Sequence, residues 1–419
     1  MQEDTKMRYR RVWKSLIALA ASAILAGLAV SQETAKDGYA GSQACVSCHA
    51  EAHAAWLSSK HAAKPSYSDP AWATDCAGCH TPGTAAGESA AGCESCHGPG
   101  SSHASTGDKD RIVSRKDADI CGQCHLGNGP EAQGKIMSDG TKWVVGFKPG
   151  MKLSEVKGVL KTPVNPDRIP PETGPQHKRT FNMWEASGHS RTLERVAQSE
   201  NKSADCYGCH SDEGFKARMQ GKKVDLTQKD SFSPVTCVTC HEPHNSKNPA
   251  QLVMDAEKLC TSCHRQRSVL EGKGAKGIED TRSFHSGVEC VSCHMSEGNH
   301  LMKVIRPDDP ELSEKRIDTC TACHKDNNRE ARAEQIQEWQ RWYRKAMDPV
   351  QADLKAIETA LKQNPDILNA ELKAKLNDVK ANIAIIISDR SEGAHNLDFA
   401  LEIMSLAAAD LKEIQAAMK

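Results

Sequence analysis

The chain carries 54 basic and 55 acidic residues in 419, with 38% hydrophobic residues and only 4% aromatic ones. Such a length accommodates two or three domains, but so small an aromatic supply is poor filling for their cores. Something other than side chains must contribute apolar bulk.

The first predicted element is an export signal. Met7 to Lys14 is rich in Arg and Lys, and an apolar stretch of sixteen residues runs from Ser15 to Val30. This reads as a secretory signal over residues 1–30, cut near Ala29. The competing reading is an uncleaved N-terminal membrane anchor, for which the stretch falls just short of a usual span. Met1 to Lys6, with two acids, reads as the product of an upstream start. Either reading puts the rest of the chain in the periplasm or outside the cell.

All 18 cysteines then fall in nine Cys-x-x-Cys-His pentapeptides. The first four are Cys45/Cys48/His49, Cys76/Cys79/His80, Cys93/Cys96/His97 and Cys121/Cys124/His125. The other five are Cys206/Cys209/His210, Cys237/Cys240/His241, Cys260/Cys263/His264, Cys290/Cys293/His294 and Cys320/Cys323/His324. The pentapeptide is the attachment signal for c-type haem: two thiols form thioethers to the porphyrin edge, and the adjoining imidazole reaches the iron. Zinc ribbons need two cysteine pairs per metal and no following histidine. A disulfide framework would show varied spacings, and iron–sulfur sites favour longer cysteine runs. The histidine tells against all three.

Nine covalently attached haem c groups are therefore expected. They supply the missing apolar bulk, so the haem-free chain should be largely unfolded. The fold class that follows is mainly α with much irregular structure, a multihaem cytochrome c packed around covalent haems, plus a C-terminal antiparallel helical region. An oxidised bis-histidine haem adds about one negative charge, which takes the chain from −1 to about −10. That argues against nucleic acid and for redox partners with a basic face.

The motif spacing divides the chain. A four-haem module occupies 39–130, a haem-poor linker segment 131–175 and a five-haem module 176–330. In the linker, Pro163 to Pro171 cannot form a regular helix or central strand, and Trp143 to Phe147 reads as a short strand. Residues 331–419 carry helical stripes: Leu354, Ile357 and Leu361; then Leu368, Leu372, Leu376, Val379 and Ile383; then Leu397, Leu401, Met404, Ala408 and Leu411. Breaks at Asn364-Pro365 and Ser391–Gly393 imply antiparallel helices. They read as a cap on the haem module, with a dimer through these helices as a further expectation.

The motif histidines are the proximal ligands. Nine others are candidates for the opposite face of an iron: His53, His61, His103, His177, His189, His244, His285, His300 and His395. His103 and His244 lie too close to their own motifs to serve them, so each should reach a neighbouring haem. His61 and His189 share a Trp-x-x-Ser-x-His context, starting at Trp56 and Trp184, which implies equivalent roles. His53, four residues after His49, is the weakest candidate. If it is no ligand, eight histidines serve nine irons.

Two stretches carry a resemblance. Tyr39 to His49 followed by Trp56-x-x-Ser-x-His61, with Gly92 to His103, resembles the tetrahaem cytochrome family of ammonia oxidation. That resemblance implies distal ligands at His61 and His103, and in the family a tyrosine usually stands at the place of His53. Cys290 to Met295, His300, Pro307 and Cys320 to His324 with the helices beyond resemble the pentahaem nitrite reductase and octahaem hydroxylamine oxidoreductase group. The Cys-x-x-Cys-Lys of the reductases is missing here. Tyr343 lacks the surroundings of the tyrosine that hydroxylamine oxidoreductases cross-link to haem, and reads as a buried structural residue.

The function expected is electron carriage through bis-histidine haems between redox partners: a membrane quinol-oxidising complex, a terminal reductase or an outer-membrane conduit. The alternative is an oxidoreductase acting on a small nitrogen or sulfur oxyanion, or hydroxylamine, at one five-coordinate haem. The sequence assigns no catalytic residue.

Overall fold

A Cys-x-x-Cys-His run suits one turn of helix, because positions i, i+3 and i+4 share a face and aim both sulfurs and the imidazole the same way. The computed structural model describes residues 38–63, 77–80, 90–114, 117–126, 134–136, 142–144, 147–156, 164–171, 179–200, 202–325 and 328–418. The signal or anchor expected over 1–30, Cys76 and His177 lie outside them. Among the described residues no helix is long and apolar enough to cross a membrane.

In the first half, motif turns fall in α1 (Ser42–Leu57), α2 (Ala77–His80), α3 (Cys93–His97) and, after α4 (Ser101–Thr106), in α5 (Ala118–His125). α1 is broken at His49, whose backbone leaves the helical region. A two-stranded antiparallel sheet follows, pairing β1 (Gly134–Ile136) with β2 (Lys142–Val144). Phe147, placed by sequence in that strand, instead packs fully buried with Leu153, Phe181, Ala118 and Leu126 beside α5. Gly122 inside motif four permits this: a Cβ there would sit 2.5 Å from Leu153 Cδ1 and 2.6 Å from Phe181 Cδ2.

The second half continues with α6 (Thr180–Ala186), α7 (Thr192–Ala197), α8 (Ala204–His210) and α9 (Asp212–Met219). Next come α10 (Cys237–Cys240), α11 (Ala256–Thr261), α12 (Arg267–Leu270), α13 (Cys290–His294) and α14 (Thr319–Cys323). Aspartates start several motif turns: Asp117, Asp255 and Asp318 each accept from backbone N–H groups of the turn they precede, satisfying donors a helix start leaves unpaired.

Three long helices close the chain: α15 (Arg329–Gln363), α16 (Ala370–Asp389) and α17 (Leu397–Ala417), each capped by an asparagine, Asn328, Asn369 and Asn396. The breaks fall where Asn364-Pro365 and Ser391–Gly393 place them, and α17 packs on both α15 and α16. Their stripes form the largest side-chain core of the molecule, including Ile357, Leu376, Val379, Ile383, Ile403, Met404 and Leu411. Leu411 is fully buried, so Leu411→Ala should cost about 2–5 kcal/mol through lost contacts and a residual cavity. Chemical denaturation of the holoprotein, followed by far-ultraviolet circular dichroism, measures it.

Candidate haem-ligand sites

Seven motif histidines each face one histidine from outside the motifs, at nearly constant separation. Ring centroids lie 6.2 Å apart for His49 and His103, 6.4 Å for His125 and His61, and 6.2 Å for His97 and His244. The values are 6.0 Å for His264 and His189, and 6.2 Å for His241 with His300, His324 with His285 and His294 with His395. A metal–imidazole bond is about 2 Å, and a ring nitrogen lies roughly 1 Å from its ring centre. One metal between two imidazoles thus separates the centres by about 6 Å. The residues present fit bis-histidine iron.

Hydrogen bonds aim these rings. Nδ1 of His97 lies 2.6 Å from the Val113 carbonyl, that of His103 2.8 Å from Asp108 O and that of His241 2.8 Å from Ala250 O. His294 and His300 make the same contact to Met302 O and Gly298 O, at 3.2 and 2.9 Å. A carbonyl can only accept, so Nδ1 carries the proton and Nε2 keeps the lone pair a metal needs. Burial lowers the pKa of His125 and of His189 to about 4, helped by neighbouring histidines, so both stay neutral. Two rings have carboxylate partners instead: His244 with Glu242 at 3.0 Å, and His395 with Asp389 at 2.6 Å.

The motif cysteines are not all enclosed, which corrects the expectation of attachment points packed inside the molecule. Cys48 is exposed, and the Ser47 hydroxyl lies 3.8 Å from its sulfur. The cause is the seating of α1. Its buried residue is Ser42, whose hydroxyl accepts from the Cys93 backbone N–H at 3.0 Å. That contact turns the start of the helix inward and leaves Cys48 and His49 at the surface. Cys45 is only half-buried, so motif one stands at the rim, with its second attachment point facing water. Cys96 and Cys323 are exposed as well.

Thioether sulfurs mark one edge of each macrocycle, so adjacent motifs bring edges together. α1 packs on α3, joining motifs one and three; Gln123 donates to Ser95 O at 2.8 Å, joining four and three. Cys124 Sγ lies 3.5 Å from Cys79 O, motifs four and two. Cys121 neighbours Cys237, motifs four and six, and Cys240 neighbours Cys260, six and seven. Cys260 neighbours Cys290, and α13 packs on α14, continuing through seven, eight and nine. Arg218, which no motif announces, holds Cys209 Sγ at 3.1 Å and Cys263 Sγ at 3.4 Å, setting motif five beside seven.

The Trp-x-x-Ser-x-His repeat has matching geometry in both halves. Trp56 Nε1 donates to Ala91 O and Trp184 Nε1 to Val235 O, each carbonyl two residues before a motif. The following histidines then face the next motif in each half, His125 and His264. His53 instead rests on Trp56, centroids 5.4 Å apart. No histidine ring faces His210 among the described residues; its Nδ1 lies 3.3 Å from Thr192 O. Tyr343 is buried, with its hydroxyl donating to Ile386 O at 3.3 Å and its pKa pushed up to about 12 by burial and by Asp389.

Comparisons with known proteins agree with this chemistry. A family described as "Doubled CXXCH motif" matches residues 232–268, and one described as "Cytochrome c554 and c-prime" matches 174–242. The latter covers the second Trp-His repeat rather than residues 39–130. The fold is similar to that of the outer cell wall cytochrome OcwA, with a TM-score of 0.69 at 24% identity over 89% of this chain and 99% of that one. The chain is a multihaem c-type cytochrome. This cytochrome is also similar in fold to an undecahaem cytochrome from the S-layer of Carboxydothermus ferrireducens, with a TM-score of 0.58 at 21% identity over 90% of this chain and 70% of that one. The multihaem cytochrome MtrA of Shewanella baltica is 26% identical over 131 residues, 30% of this chain but only 33% of that relative.

Proposed function

We propose that this cytochrome carries electrons along nine covalently bound haems, held by bis-histidine ligation at most of its irons. The observation that carries the reading is the constant spacing of the histidine pairs, each joining a motif histidine to one other. Low-spin iron with two imidazoles changes little between redox states, which favours rapid electron exchange and low potentials. The contacts between motifs support a path running one, three, four, six, seven, eight, nine, with haem two beside four and haem five beside seven. Both ends of that path have a cysteine at the surface, Cys48 and Cys323, which suits exchange with outside partners. The four-haem and five-haem modules interlock on this reading, since His244 of the second faces His97 of the first. The cell-wall and S-layer locations named for the structural relatives support an exported site of action. There the chain would pass electrons between a membrane-side donor and an external acceptor.

One observation favours a second role. With His53 on Trp56, eight histidines remain for nine irons, and His210 has no histidine ring opposite among the described residues. We infer an exchangeable position at the haem of Cys206 and Cys209, open to nitrite or hydroxylamine. Electron paramagnetic resonance of the ferric holoprotein should show eight low-spin irons and one high-spin iron that nitrite perturbs. A high-spin majority would overturn the wire, and nine low-spin irons would remove the open position.

A further inference from the structure

Of the ring nitrogens that hold protein partners, most face neutral carbonyls, and two face carboxylates. They are not equivalent. The Glu242 side chain beside His244 is 44% exposed, whereas that of Asp389 beside His395 is 4% exposed. Water and salt screen the first charge, and a buried one acts at far higher strength. Among the described residues, Asp389 forms no ion pair with Lys or Arg, so its charge is not cancelled by a cation. The Ser391 hydroxyl donates to its other oxygen and accepts from the His395 backbone N–H.

The turn is built to hold this contact. Arg390, Glu392 and Gly393 all have positive φ, 61°, 50° and 92°, a costly backbone for the two non-glycine residues. Asn396 then anchors the far side, donating to Val269 O at 3.0 Å and capping α17. His395 is thereby presented to His294 from the helical region, and Asp389, at the end of α16, stands behind it.

We propose that Asp389 is a positioning and potential-setting residue for His395, making the haem of Cys290 and Cys293 the lowest-potential one in the chain. The inference rests on His395 being an iron ligand. A carboxylate accepting from the outer imidazole nitrogen makes the inner one a stronger donor. Stronger donation and nearby negative charge stabilise the ferric form over the ferrous one, so the potential falls. Electrons crossing from motif seven to motif nine meet an uphill station governed by the helical tail.

The test is redox titration of the intact holoprotein, followed optically and by electron paramagnetic resonance. Asp389→Asn should favour reduction of one haem at least tenfold, about 59 mV for one electron, with all haems retained and that iron still low-spin. Ser391→Ala, which concentrates charge on the carboxylate, should shift the same haem the opposite way. Glu242→Gln should shift its haem less than Asp389→Asn does. His395→Ala, run in parallel, should turn one iron high-spin; an unchanged spectrum would show that His395 is no ligand and remove the underlying reading. If His395→Ala behaves as expected while Asp389→Asn leaves every potential in place, or only releases the ligand, the proposal is wrong.

Discussion

Replacing Cys237 and Cys240 by serine should leave the protein eight-haemed and cut end-to-end electron passage on the order of 10²-fold or more. Reaction rates fall about 10²-fold for a misplacement of only 1 Å between reacting groups, and here a whole macrocycle disappears. The sixth motif is where this matters, because it touches both halves. Cys121 of motif four lies against Cys237, and Cys240 lies near Cys260 of motif seven. His61, facing motif four, reaches Pro243 O just beyond motif six. Motif five lies off this path, held beside motif seven through Arg218. Cys206→Ser with Cys209→Ser is therefore the control, expected to change passage by no more than about twofold on the same positional argument. Mass spectrometry confirms the loss of one haem in each variant, and single-molecule conductance between tags at the two ends reads the passage. Equal losses in both variants would refute the proposed order.

The motifs and their helical turns are plain in the sequence because their spacing and chemistry are local. So are the three terminal helices, whose stripes and asparagine caps repeat at short range. The ligand partners are a different kind of information. His97 is faced by His244 and His294 by His395, across some hundred residues or more, and no periodicity in the chain encodes such a pairing. Exposure is hidden in the same way. Cys48 and Cys45 stand in one pentapeptide, and only the long-range contact of Ser42 with Cys93 decides which of them meets water. What the sequence does carry is the Trp-x-x-Ser-x-His repeat. The structure explains it by giving both tryptophans the same carbonyl anchor and both histidines the same relation to the next motif. Asp389 left no readable mark, since its closeness to His395 depends on a turn through positive φ between two helices. Arg218 was silent for a similar reason: its role lies between two cysteines far apart in sequence.

The haem-free chain should behave as two unequal parts. Outside the terminal helices, the described residues bury few apolar side chains together; the cluster beside α5 has five buried members. The three-helix cluster buries 17, all from residues 343–414 except Val269. A domain is stable by only about 5–15 kcal/mol, and the haem region has no comparable side-chain core from which to draw it. Its apolar bulk is the macrocycles themselves, so their absence removes the driving force for ordering that part of the chain. The terminal helices lack that dependence except at the His395 turn. Expression without haem attachment should therefore give a chain with helical circular dichroism from residues near 329–418 and a protease-resistant fragment of about that span. The remainder should be cut within the dead time of the digestion, while the holoprotein resists throughout. A single cooperative transition involving the whole haem-free chain would show that side chains, not haems, build the first three quarters of the molecule.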